Sequence, residues 1–184
     1  MKKKIYLLSG LIVTLILFFS LSSMTIKNEV SGEYKYVGVS KCKMCHKGDA
    51  KGKQFEIWSD SKHSKAFQNL GTEAADKIAK EKGFTTPAKE TPACIKCHVL
   101  GKDINPAELE DSFDKNDGVQ CETCHGAGSG YKSKMTPKAT AIENGMNALT
   151  DIEAFCKGCH NSDSPTFREF NFNDMWAKIK HTKP

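Results

Sequence analysis

The sequence has little with which to build an apolar core. Hydrophobic residues make up 39% of its 184 positions, and a large share of them sits in one N-terminal run at residues 5–21. The remaining length, about 160 residues, suits one domain, but that domain is poor in core-forming side chains. Histidine is scarce, with six in the chain, and of the eight cysteines none stands outside the motifs described below. No cysteine follows the N-terminal run, which excludes a lipoprotein anchor. The glycines at 126, 128 and 130 match neither dinucleotide-binding nor P-loop spacing, and they do not lie between a strand and a helix. They are expected to let the backbone pass close to a cofactor face. No protein nucleophile or acid-base constellation is visible.

What is present is one pattern repeated four times. Cys42, Cys45 and His46 share their spacing with Cys94, Cys97 and His98, with Cys121, Cys124 and His125, and with Cys156, Cys159 and His160. Two thiols one helical turn apart can add to the two vinyl groups of one porphyrin, and the histidine that follows reaches its iron. Zinc, disulfides and thiol-disulfide exchange also use paired cysteines. None of them needs a histidine directly after every second cysteine, and chance places one at all four positions with odds on the order of one in a million. The expected cofactors are four covalently attached haem c groups, with His46, His98, His125 and His160 as proximal ligands. Their porphyrins would supply the core that the side chains do not.

The chain opens on Met1, Lys2, Lys3 and Lys4 before the apolar run. A basic end followed by an apolar stretch predicts export, with residues 1–23 either a signal peptide cleaved after Ser22 or an N-terminal membrane anchor, and 24–35 a linker. The expected location is periplasmic or otherwise extracytoplasmic. The formal charge of +5 falls to about −2 once the leader is removed and ferric haems with their propionates are added, so it gives no support to nucleic-acid binding.

Residues 36–184 are expected to form a small, irregular, mainly α domain with little or no β. Apolar residues at Phe55, Trp58, Ala66, Phe67 and Leu70 predict an amphipathic helix over 54–70, with His63 on the same side. Further helices are expected at 73–82, ending at Gly83, and at 137–143. A capping pattern from Thr150 to Glu153 starts another that carries the fourth motif, and a last one at 174–180 is capped by Asn173. Asn105 and Pro106 start a short turn.

With four histidines used as proximal ligands, His63 and His181 are left for distal positions, so at most two irons can be bis-histidine. Met135 is a further candidate, since a thioether ligates haem iron.

These features resemble the tetrahaem cytochrome c-554 family of ammonia oxidisers and its bacterial relatives. The resemblance spans residues 36–181. It rests on Trp58, His63 and Ala66 after the first motif, on Val99 and Gly101 after the second, on Gly118, Val119, Gln120, Gly126 and Gly128 around the third, and on Phe172, Asn173, Asp174 and Met175 before the final histidine. It implies a mainly helical fold with haems in closely packed pairs. It also implies that His181 is the distal ligand opposite His46, that His63 lies opposite His125, and that the haem on His98 has an open face. The family's pattern has a histidine where this chain has Met135, here expected to join His160 on the fourth iron. The implied function is electron transfer between redox partner proteins. The alternative is a haem enzyme acting on a small nitrogen or sulfur species at the open haem on His98.

Overall fold

The computed structural model describes residues 33–133 and 137–181. The N-terminal run and Met135 lie outside these. Nine α-helices and six short 3-10 turns carry the described chain, and its only β-type pairing is an isolated parallel bridge between Tyr36 and Leu109. In order the helices are α1 (Val39–Lys43), α2 (Gln54–Asp60), α3 (Ala66–Asn69), α4 (Glu73–Glu81), α5 (Pro92–His98), α6 (Cys121–His125), α7 (Lys138–Glu143), α8 (Ile152–Lys157) and α9 (Phe172–Ile179). Among the described residues no helix is long and apolar enough to cross a membrane.

The helix expected over 54–70 is broken into α2, a 3-10 turn at His63–Lys65, and α3. Three serines account for the break. Ser61 takes an extended conformation after α2, its hydroxyl donates to Trp58 O at 2.7 Å and accepts from His63 N–H at 3.2 Å, and the Ser64 hydroxyl donates to Ser59 O and Ser61 O. Short hydroxyl side chains of this kind compete with the helical ladder. The break places His63 on a turn rather than on a continuous apolar face.

Helix α4 begins after Thr72, whose hydroxyl accepts from Ala75 N–H at 3.2 Å, and ends one residue short of the left-handed Gly83. Two caps are shifted from expectation. Helix α8 is capped by Asp151, which accepts from Ala154 N–H at 2.9 Å, and α9 by Asn171 rather than Asn173. The earlier start of α9 brings Phe172 into the helix one turn before Trp176, and their rings stack at 6.2 Å.

Apolar burial is thin and local. Phe67, Leu70, Ala79, Ala88, Val99 and Leu100 form one cluster beneath α3, α4 and α5, while α8 and α9 bury no side chain fully. Gln120 and Glu122, both 2% exposed, are among the largest fully buried side chains. A domain of this length that places a glutamate at its centre has few apolar residues to place there instead.

Candidate functional site

Each of the four motifs lies at or beside a short helix. In the first and fourth, the histidine N–H donates to the carbonyl of the first cysteine, His46 to Cys42 and His160 to Cys156, both at 3.0 Å. That is a single helical turn, the unit that sets two thiols and an imidazole on one side.

The motifs converge. The Cys42 and Cys121 thiols are in hydrogen-bond contact, which raises the pKa of Cys42, further raised by burial, and lowers that of Cys121. Cys97 and Cys159 are in contact too, and burial first, then Cys97, pushes the Cys159 thiol up to about 12. Burial, and after it the neighbouring Cys156, pushes the Cys124 thiol up to about 11. Helices α1 and α6 pack together, which makes the first and third motifs neighbours. All eight cysteines are free, and among the described residues no three histidine, cysteine or acidic side chains converge as a metal cluster.

Two pairs of imidazoles lie close together, each joining a half-buried ring to an exposed one. The His63 and His160 ring centres are 6.1 Å apart and those of His125 and His181 are 5.9 Å apart. A histidine nitrogen sits about 2 Å from a metal ion that it binds, and its ring centre about 1 Å further, so two imidazoles on opposite sides of one ion have centres about 6 Å apart. Both pairs fit an iron held between them. Burial lowers the pKa of His160, and burial together with His160 lowers that of His63. Burial, followed by His181, His46 and Lys138, pushes His125 down to about 4. These three rings are held neutral at pH 7, the state in which imidazole ligates a metal.

The pairing differs from the one implied by family resemblance. His63 meets His160 of the fourth motif, not His125, and His181 meets His125, not His46. The serine-broken turn and the Val119 N–H bond to His63 O at 3.0 Å fix where His63 points. Met135, expected to join His160 on the fourth iron, lies outside the described residues. Among the described residues neither His46 nor His98 has a ring partner at this spacing. His98 Nδ1 lies 2.7 Å from Ala66 O, a contact that orients the imidazole from behind.

A family model described as cytochrome c554 and c-prime matches residues 41–126. Over these residues the chain is similar to the cytochrome c-554 family. Cytochrome c-554 of Nitrosomonas europaea is 28% identical over 174 aligned residues, which cover 85% of this chain and 68% of that protein. No solved structure matches. The chain is thus a c-type cytochrome with covalently bound haem c, involved in electron transfer.

Several residues that build the cytochrome site were not singled out from the sequence. Glu122 lies between the cysteines of the third motif. Its carboxylate accepts from Val37 N–H at 2.9 and 3.0 Å, Gly38 N–H at 2.7 Å and Gly128 N–H at 2.7 Å. It clasps the strand-like segment before α1 to α6. Burial raises its pKa, and these N–H bonds oppose that rise. Every neighbour that reaches the two oxygens is a donor, so the pocket is shaped for the anion. The available signal was that no other motif has an acidic residue between its cysteines. Thr123 accepts from Gln120 N–H at 3.0 Å and donates to Val99 O at 2.6 Å, tying the third motif to the end of the second. Phe170 stacks on His160 at 4.8 Å.

The glycines after the third motif make room for protein chain. A Cβ at Gly128 would meet Glu122 Oε1 at 2.9 Å, and one at Gly126 or Gly130 would strike the Gly145 or Asn144 carbonyl. Replacing Glu122 with glutamine sets an NH2 group against an N–H donor and leaves buried groups unsatisfied. The expected loss is about 1–3 kcal/mol, seen as a lower denaturant midpoint of the holoprotein with unchanged haem content.

Proposed function

We propose that the chain is an exported, extracytoplasmic tetrahaem cytochrome that carries electrons between redox proteins. Its haems are attached through Cys42 and Cys45, Cys94 and Cys97, Cys121 and Cys124, and Cys156 and Cys159. His46, His98, His125 and His160 are the proximal ligands, His181 and His63 are distal ligands to the third and fourth, and Met135 is a further candidate ligand. The observation that carries this reading is that the two histidines outside the motifs, His63 and His181, each lie at haem-ligand spacing from a motif histidine. Each bound haem supplies a one-electron couple. The chain's own part is to hold four such couples close together, to keep the ligating imidazoles neutral, and to fix two irons in six-coordinate form, which changes little on reduction.

A pyridine haemochrome assay with intact-protein mass spectrometry is expected to give four haems per chain, and a reductive titration to take up four electrons. A lower haem count, or no reversible titration, overturns the reading. The runner-up is an enzyme acting on a small nitrogen or sulfur species at the haem on His98. It is favoured by the Ala66 carbonyl behind His98 and the absence, among the described residues, of a ring opposite. Titrating the reduced protein with carbon monoxide separates the two. If no haem binds, the enzyme falls; binding without turnover of nitric oxide or hydroxylamine leaves the carrier.

A further inference from the structure

We infer that the lysine-ringed face around Cys42, Cys45 and His46 is the docking surface for the acidic face of a redox partner protein. The inference rests on the tetrahaem reading above. Of the eight cysteines, Cys45 is the exposed one, so the first motif is within reach of a partner. The loop that follows is pinned beside the motif. Phe55 N–H donates to His46 O at 2.9 Å, and the Glu56 carboxylate accepts from Gly48 N–H at 3.1 and 3.3 Å. Gly48 and Gly52 turn the loop with left-handed φ of 86° and 88°.

Residues 41–53 hold five lysines and one aspartate. Asp49 pairs with Lys53 at 2.8 Å. Lys43, Lys47 and Lys51 are exposed and, among the described residues, form no ion pair with a carboxylate. Lys43 lies over the Phe55 ring, 4.6 Å from its centre, which holds it in place. The lysine of the fourth motif, by contrast, is paired, Lys157 with Glu153 at 2.7 Å.

An apolar side chain stands among these lysines in the chain. Met44 is 75% exposed, the highest value among the exposed large hydrophobic side chains. An exposed methionine inside a charged rim is the anatomy of a transient protein interface, with the charges steering encounter and setting orientation. Unpaired lysines select an anionic partner face.

The test uses the holoprotein and reduced flavodoxin, an acidic flavoprotein, as the probe. One electron passes from the flavin hydroquinone to the ferric cytochrome, leaving the semiquinone and one ferrous haem. The variant K43Q/K47Q/K51Q is compared with K77Q/K80Q/K82Q, which removes the same charge from the exposed side of α4. At low ionic strength the first variant is expected to react about tenfold more slowly than wild type, the difference closing at high salt, while the second reacts like wild type. Equal loss in both variants, or loss in neither, overturns the proposal.

Midpoint potentials are expected to be unchanged in both variants. A shift confined to K43Q/K47Q/K51Q means that these lysines neutralise haem propionates instead, and overturns the docking role. A variant that exchanges with flavodoxin normally but no longer binds phosphatidylglycerol vesicles assigns the face to a membrane and overturns the proposal. Failure of the tetrahaem reading would show separately, as a haem count below four in the wild type.

Discussion

Replacing His63 with alanine is expected to convert one haem per chain from low-spin six-coordinate to high-spin five-coordinate, and that haem to be the one on His160. The 6.1 Å ring pair leaves no other imidazole in place to take over, because His181 stands against His125 at 5.9 Å. The altered iron gains carbon monoxide binding when reduced, and its potential rises with loss of the second imidazole. Added imidazole restores the low-spin spectrum, a rescue that a merely structural role for His63 would not give. His181→Ala is expected to do the same at the haem on His125. Electron paramagnetic resonance, with NMR assignment of the haem methyls to their attachment cysteines, identifies which iron has changed. A change at the His125 haem in the His63 variant would restore the pairing that family resemblance implies and overturn the pairing of His63 with His160.

Produced without cytochrome maturation, the chain is expected not to fold cooperatively. Among the described residues nine hydrophobic side chains are buried, three of them alanine. A fully buried Val, Leu or Phe contributes about 1.5–3 kcal/mol, whereas each ordered backbone residue costs about 1–2 kcal/mol. The apolar cluster lies under α3, α4 and α5, and α8 and α9 have no buried residue to offset their ordering. The segment from 151 onwards should therefore be unprotected in the apoprotein, with residual structure centred on the region around Phe67 and Leu100. Hydrogen exchange and thermal unfolding of the apoprotein measure this. A single cooperative transition with protection reaching α9 would show that the side chains suffice without porphyrin.

The two experiments bear on different layers of the structure. The first asks which imidazoles meet, and the second asks what fills the core. Glu122 belongs to both. A buried carboxylate that receives its bonds from the backbone at Val37, Gly38 and Gly128 holds the first segment against the third motif by directional contacts, where a larger domain would use apolar area. Such a clasp fixes geometry sharply and adds little net stability.

Much of the helical content was legible in advance because its signals are local. Gly83 ends α4 where a left-handed residue is needed, and Pro106 opens a turn behind Asn105. The errors were local as well. The apolar spacing of Phe55, Trp58, Phe67 and Leu70 is helical throughout, yet hydroxyl bonds from Ser61 and Ser64 interrupt the ladder. Two asparagines near Phe172 each make a plausible cap, and ring stacking with Trp176 favoured the first. The glycines at 126, 128 and 130 signalled a close approach, but not that residues 144–147 and Glu122 would be what approaches.

By itself the sequence determined the pattern that fits within one helical turn: which cysteines pair at porphyrin spacing, which histidine follows each pair, and that two histidines remained outside the motifs. Five consecutive residues fix those relationships whatever the rest of the chain does. Which of these two histidines meets which motif histidine, and the clasp made by Glu122, were decided by tertiary structure. Val37 and Glu122 are 85 positions apart, and His63 and His160 are separated by most of the domain. Contacts over such distances depend on how the intervening turns direct the chain, and no spacing along the chain records that.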